Sequence, residues 1–382
     1  MATTENQSPN PGAPGGPNVV VVGGGYGGVG VAKALDAETN VVLIEPKESF
    51  VHNIAALRAL VEPDFLPKIF LPYENLLARG HVERDRAVTV GAHRVVVESG
   101  KEFAADYIVL ASGSTYPFPA KTDARDTHDA IELYRAAYDK LRQARRVLLV
   151  GAGPVGIELA GEIHSKWPDK HITLLDFAPD VLGERFRPDL RDELRAQLEE
   201  IGVELVLGEG LRGLPPTVAG ELNEFTVTTE TDRKIAADIW FQCFGVSPES
   251  DYLDDELRPA RRPDGFVTVG PSLQVANHEN VFAIGDVSTA DAKMAGMAGM
   301  QAQLTAQNIL RLVNGDHDLA PYEPYGAAIV VPIGPERGSG QLPGQDELIS
   351  REMVADLKGR DLMIGRFSET FGLPAESANE NS

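Results

Sequence analysis

The chain has 382 residues, 43% of them hydrophobic, with 57 acidic against 35 basic side chains and a formal net charge of −22 at pH 7. That balance repels nucleic acid and anionic lipid over roughly a Debye length, about 10 Å, and the length suffices for two or three domains. No run of about 18 apolar residues occurs, so no membrane-spanning helix is expected, and the single cysteine, Cys243, excludes an internal disulfide and any CxxC redox pair.

In chain order, residues 1–17 are polar and rich in Pro and Gly. They lack the basic and apolar regions of a secretory signal and read as a disordered tail. Val19–Val22 is a β-branched strand, followed by GGGYGG at Gly23–Gly28 and a helix. In this GxGxxG spacing Gly23 permits the tight turn, Gly25 lets a pyrophosphate approach the backbone, and Gly28 lets the helix pack on the strand. The next strand, VVLIE, ends at Glu45, a carboxylate able to accept both hydroxyls of a ribose. KESFVHNIAALRALV, Lys47 to Val61, is a polar loop entering an apolar-periodic segment, and Arg86–Ser99 holds short alternating strands. DYIVLASGS is a buried strand whose small-residue end includes Ala111 and Gly113; such an end admits a ligand to the backbone or makes a tight turn. Residues 121–146 are predicted to be helical.

The pattern then repeats. Val147–Val150 is a strand, GAGPVG at Gly151–Gly156 has the same spacing through Gly151, Gly153 and Gly156, and ITLLD ends at Asp176. A carboxylate there repels a 2′-phosphate and predicts NADH, although Lys170 and His171 are basic and leave NADPH open. A meander and a closing strand, Asp238–Gly245, complete this unit. Cys243 lies in the apolar run IWFQCFG and reads as a buried strand residue rather than a reactive thiol. NVFAIGDVS is a further strand ending at Gly285-Asp286, before a small-residue helix at Lys293–Leu312. An Asp there binds a cofactor hydroxyl or N-caps the helix. Because the second unit has already closed at Gly245, this strand is expected to return to the first. Near the C-terminus Met363, Phe367 and Phe371 recur every four residues beside Leu357 and Ile364. They suit a helical docking face more than a membrane-surface face, with Gly359 and Gly365 weakening a long helix. The final AESANENS is a loose end.

The order GxGxxG…E, ASG, GxGxxG…D, FG, IGD resembles the flavoproteins with two dinucleotide-binding domains, in which the first holds FAD and the inserted one NAD(P)H. KESFVHNIAALRALVEPDF, LASGSTYPFPAK, GAGPVGIELAGEI, NVFAIGDV and AKMAGMAGMQAQ resemble the apoptosis-inducing-factor-like branch, which includes NAD(P)H:quinone oxidoreductases, and more distantly the type II NADH dehydrogenases. The likeness runs from about Val19 to Phe371. It implies an α/β fold of two Rossmann-like, glutathione-reductase-type domains plus a small C-terminal α+β domain: 18–120 with 255–320 for FAD, 121–254 for NAD(P)H, and 321–382 for acceptor or dimer contacts. It places Gly23, Gly25, Gly28, Glu45, Lys47, His52, Asn53, Val82, Ala111, Gly113, Gly285 and Asp286 at FAD. Gly151, Gly153, Gly156, Asp176 and Gly245 are placed at NAD(P)H. The catalytic candidates are Glu158 at the nicotinamide and Lys121 near the isoalloxazine; an ordinary first-turn acid and an exposed linker lysine fit the same two positions. Lys293, Met294, Met297, Lys358 and Met363 fall on the family's quinone pocket. There the likeness weakens: Met363 replaces an aromatic, and PIGPERGSGQLPGQDELIS diverges.

The resulting expectation is an FAD-dependent NADH:quinone oxidoreductase, with hydride passing from NADH to FAD and two electrons then passing to a small-molecule quinone. Two other readings stay open. One is an NADH-dependent reductase of a small redox carrier protein, which the acidic surface disfavours for an acidic carrier. The other is a signalling protein whose flavin–NAD complex is the working state. No metal-ligand spacing is found. The expected setting is cytoplasmic with at most peripheral membrane contact, and a homodimer is compatible with it.

Overall fold

The computed structural model describes residues 16–373; all but the last two residues of the expected N-terminal tail, and the C-terminal AESANENS, lie outside the described residues. The chain forms two compact units. The first comprises the residues up to Phe50, Pro72–Ser114 and Ser247–Pro324, and the second comprises Val51–Leu71, Thr115–Val246 and the residues from Tyr325 onward.

In the first unit five parallel strands lie in the order Val281–Ala283, Tyr107–Leu110, Asn18–Val22, Asn40–Ile44, His81–Glu83. The central strand is an almost unbroken valine run because both of its faces are covered, as parallel sheets require. Val22 pairs with Ile44 on one side and Leu110 on the other, so Gly23, Glu45 and Ala111 emerge together at the carboxyl edge. The antiparallel strands Ala87–Val90, Arg94–Val97 and Glu102–Ala104 share a core with this sheet, built on Val20, Val42, Val95, Val97, Leu253 and Val267. The helix Tyr26–Leu35 packs on the helix Ala295–Val313 through small residues; a Cβ at Gly30 would stand 3.1 Å from that of Ala302.

The second unit repeats the plan with four parallel strands, Glu204–Leu207, His171–Asp176, Arg146–Val150 and Ile239–Gln242. Val150 pairs with Leu175 and Gln242, which brings Gly151, Asp176 and Cys243 to one edge. The helix expected over 121–146 is confined to Thr127–Gln143, and Arg146 already begins a strand. The hairpin Ile329–Pro332 with Gly338–Gln341 carries little strand signal, since its second strand reads GSGQ. Glycine is required there by space: a Cβ at Gly340 would lie 2.5 Å from the Ile329 carbonyl oxygen. The four-residue C-terminal periodicity is not one helical face. Met363 is left-handed (φ 64°) and caps a short helix, Ile364–Thr370. Phe367 packs against the His52 ring, with centroids 4.7 Å apart and the planes tilted by 43°, and Phe371 is buried. Among the described residues no helix is long and apolar enough to cross a membrane.

Candidate functional site

The two glycine-rich turns are built alike. A Cβ at Gly28 would fall 1.8 Å from the Gly23 carbonyl oxygen, and one at Gly156 would fall 1.9 Å from that of Gly151. The third glycine of each fingerprint therefore makes room for the turn formed by the first, a closer constraint than the helix–strand packing its spacing suggests. Gly23 (φ 102°) and Gly151 (φ 112°) are left-handed and abut Ala111 and Cys243 of the neighbouring strand ends. At Gly25 and Gly153 a Cβ would meet nothing within 4 Å. Each caps its helix without a side-chain hydrogen bond, leaving first-turn N–H groups for an anion. This is a cradle that any side chain would fill, and it fits a pyrophosphate in both units.

The acids match as well. Glu45 accepts the Gly24 N–H at 2.6 Å on one oxygen and the Lys47 N–H at 2.9 Å on the other. Asp176 accepts the Ala152 N–H at 2.7 Å and the Ala178 N–H at 2.9 Å. Each carboxylate thus ties its strand end to the second residue of its fingerprint while keeping further lone pairs for ribose hydroxyls. Burial pushes the Glu45 carboxyl above its ordinary range, opposed by the Lys47 and Gly24 N–H groups. Tyr73 supports the first turn by donating to the Gly24 carbonyl at 2.8 Å, a contact no local pattern announces.

Lys170 and His171 stand at the other end of the strand His171–Asp176, roughly 17 Å from Asp176 at strand rise. Lys170 donates to the Arg142 and Ala144 carbonyls, and His171 faces Glu204. They cannot soften the charge of Asp176.

Asp286 accepts the Ser114 hydroxyl at 2.7 Å. It lies in a 3-10 turn, Gly285–Val287, whereas the long helix expected directly behind it begins at Ala295. Gly285 is left-handed (φ 69°), and its N–H is held by Gln301 Oε1 at 2.7 Å. Val82 sits in the edge strand opposite Leu43. Gly113 (φ 72°) and Gly245 (φ 102°) are left-handed and lie three residues beyond the strand ends Leu110 and Gln242. In the second unit His52 is buried and shares a 2.7 Å hydrogen bond with the Leu362 carbonyl. The buried Oδ1 of Asn53 has no hydrogen-bond partner among the described residues. Lys121 is half-buried in the coil ahead of Thr127–Gln143.

The acceptor-side candidates divide between the units. In the first, Met294 caps the helix that begins at Ala295, Met297 is buried, and Lys293 Nζ donates to the Asp291 carbonyl at 2.8 Å and sits 4.7 Å from the Phe266 ring centroid. Burial lowers the Lys293 ammonium, countered by Asp286 and Asp291. In the second unit Lys358 is brought to Glu158. The ammonium donates to Glu158 Oε1 at 2.7 Å, and the two side chains are 18% and 13% exposed. Burial raises the Glu158 carboxyl, and Lys358 pulls it down. One turn further along the same helix Glu162 is buried against Arg58, an arginine hidden in the apolar run AALRALV.

Residues 17–309 match the family model described as pyridine nucleotide-disulphide oxidoreductase. Human ferroptosis suppressor protein 1 is 31% identical over 353 residues, covering 91% of this chain and 94% of that one. Apoptosis-inducing factor homolog B of Dictyostelium discoideum is 28% identical over 376 residues, covering 93% and 97%. Among solved structures, the sulfide:quinone oxidoreductase of Aquifex aeolicus superposes with a TM-score of 0.75 at 17% identity, over 94% of this chain and 93% of that one. The resemblance to apoptosis-inducing-factor-like flavoproteins is thereby borne out, together with the expected fold and cofactor pair. The chain belongs to the pyridine nucleotide-disulphide oxidoreductase family and is an FAD- and NAD(P)H-dependent oxidoreductase.

Proposed function

We propose that the enzyme takes its electrons from NADH and delivers them to a quinone. When bound, FAD supplies the redox chemistry that side chains lack, accepting a hydride from reduced nicotinamide and releasing two electrons. The protein's own acceptor chemistry is limited by Cys243. It is the sole thiol, is buried, and is pushed up to about 12 by that burial, so no disulfide relay is available and the electrons leave to an external acceptor.

The observation that carries the quinone reading is the Glu158–Lys358 pair. A quinone gains negative charge on its oxygens as it is reduced. An ammonium held in place by a carboxylate is a preorganised donor for such an oxygen, and Glu158 keeps the ammonium oriented when no acceptor is present. For the reductant, Asp176 ends its strand bonded to the second residue of the fingerprint; an acid at that position accepts ribose hydroxyls and disfavours a 2′-phosphate, which supports NADH. With Lys170 and His171 engaged at the far end of the strand, neither offsets that repulsion.

Steady-state turnover with NADH and with NADPH tests both parts, using menaquinone, ubiquinone, a soluble benzoquinone, ferricyanide and oxygen as acceptors. The highest kcat/KM is expected for NADH with a quinone. Faster turnover with oxygen or ferricyanide than with every quinone would overturn the acceptor assignment.

A further inference from the structure

Arg58 is a buried cation without a role in the chemistry described so far. It lies in the helix Ala56–Val61, every residue of which is buried, and is 4% exposed. Its guanidinium is forked onto Glu162: Nη2 donates to Oε1 at 2.9 Å and Nε to Oε2. Nη2 also donates to the Gly359 carbonyl at 2.8 Å, and Nη1 reaches the Arg360 carbonyl at 3.4 Å. Glu62, half-exposed, stands 3.9 Å away. Desolvating two opposite charges costs several kcal/mol per ion, and an apolar pair of the same volume is often as stable or more so. Stability alone does not account for an arginine here. A planar fork that grips a carboxylate and two carbonyls at once gives fixed geometry, which neither lysine nor methionine reproduces.

The carbonyls in question directly follow Lys358. Their backbone is irregular: Ala355–Gly359 is a π-turn, and Leu362 (φ 52°) and Met363 (φ 64°) are both left-handed. The wide π-turn replaces the α-helical ladder at Lys358, and side-chain contacts brace the segment that follows. Arg58 holds the segment just after it, and His52 meets the Leu362 carbonyl. Glu158 and Glu162 lie one turn apart on the helix Pro154–Lys166, so Lys358 and Arg58 dock the same turn onto the same helix face.

We propose that Arg58 is a positioning residue for the reaction: by joining Glu162 to the Gly359 and Arg360 carbonyls it fixes the backbone that aims Lys358 at Glu158. This rests on Glu158 and Lys358 being the working pair of the proposed function.

The test is a mutant cycle on the FAD-loaded enzyme, with NADH and a soluble quinone. Arg58→Met combined with Glu162→Met removes both charges at similar volume and is expected to fold. It should lower kcat roughly 10- to 100-fold, the size of an ångström-scale misplacement, with KM for NADH unchanged. Arg58→Lys, which keeps the charge and loses the fork, should reproduce the drop. In a Lys358→Met background, adding the double substitution should change kcat by less than about twofold, because the two act as one unit. A folded double variant with the kcat of the unaltered enzyme would overturn the proposal, and so would a full drop in the Lys358→Met background. Wild-type kcat in Lys358→Met alone would instead remove the working-pair reading, and the role of Arg58 with it.

Discussion

The Lys358 ammonium and the Glu158 carboxylate, 200 positions apart in the chain, meet at 2.7 Å with both side chains largely hidden from solvent. Removing the cation leaves a carboxylate that burial already pushes above its ordinary range. Lys358→Met is therefore expected to cost about 1–3 kcal/mol of stability, read as a lower thermal midpoint of the holoenzyme, and to slow quinone reduction. Glu158→Gln, which keeps a hydrogen-bond acceptor for the ammonium, should cost less stability. Equal midpoints for Lys358→Met and the unaltered enzyme would mean that the pair contributes nothing in solution.

The glycines of each fingerprint separate folding from binding. Gly156→Ala places a methyl group 1.9 Å from the Gly151 carbonyl oxygen, while Gly153→Ala points one into open space. The first should fail to fold or lose at least about 3 kcal/mol. The second should melt normally and bind NADH at least about tenfold more weakly, through steric exclusion of the pyrophosphate from its cradle. Gly28→Ala and Gly25→Ala should behave the same way toward folding and FAD retention. Calorimetry beside cofactor titration checks this, and a Gly153→Ala variant with unaltered NADH affinity would contradict it.

Both turns, both strand-end acids and the returning strand before Asp286 were readable because each is a local pattern whose physics acts within a few residues. The second unit's ion pairs were not. Arg58 sits in AALRALV, which periodicity reads as an apolar segment with one stray charge, and its partners lie 104 and 301 positions away. The available signal was a pair of acids, Glu158 and Glu162, at helical spacing on a helix otherwise apolar along that stretch. Lys170 and His171 looked close to Asp176 in sequence, but a strand carries its two ends apart. The left-handed Leu362 and Met363 broke a four-residue repeat because neither residue type announces a positive φ.

Asp176→Ser removes the charge that opposes a 2′-phosphate. The ratio of kcat/KM for NADH over NADPH should fall at least about tenfold, mostly through improved NADPH. An unchanged ratio in a stable variant would mean that Asp176 does not face the ribose.

His52 supplies a pH signature. Burial lowers its imidazole from 6.5 to about 4, opposed by the Leu362 carbonyl and Asp361 and reinforced by Lys358. The folded value is depressed, so its stability contribution is present above 6.5 and is lost as pH falls toward 4, because the unfolded histidine takes up the proton first. Between pH 7.5 and 5.5 this amounts to about 1 kcal/mol. Urea midpoints of His52→Gln should fall less across that interval than those of the unaltered enzyme; parallel curves would contradict the shift.

The transfer of electrons from NADH to a quinone is tested most directly by anaerobic half-reactions on the FAD-loaded enzyme. One equivalent of NADH should bleach the flavin absorbance, and a quinone added next should restore it faster than oxygen or ferricyanide does at equal concentration. A flavin that NADH bleaches but no quinone reoxidises would contradict the assignment of the acceptor.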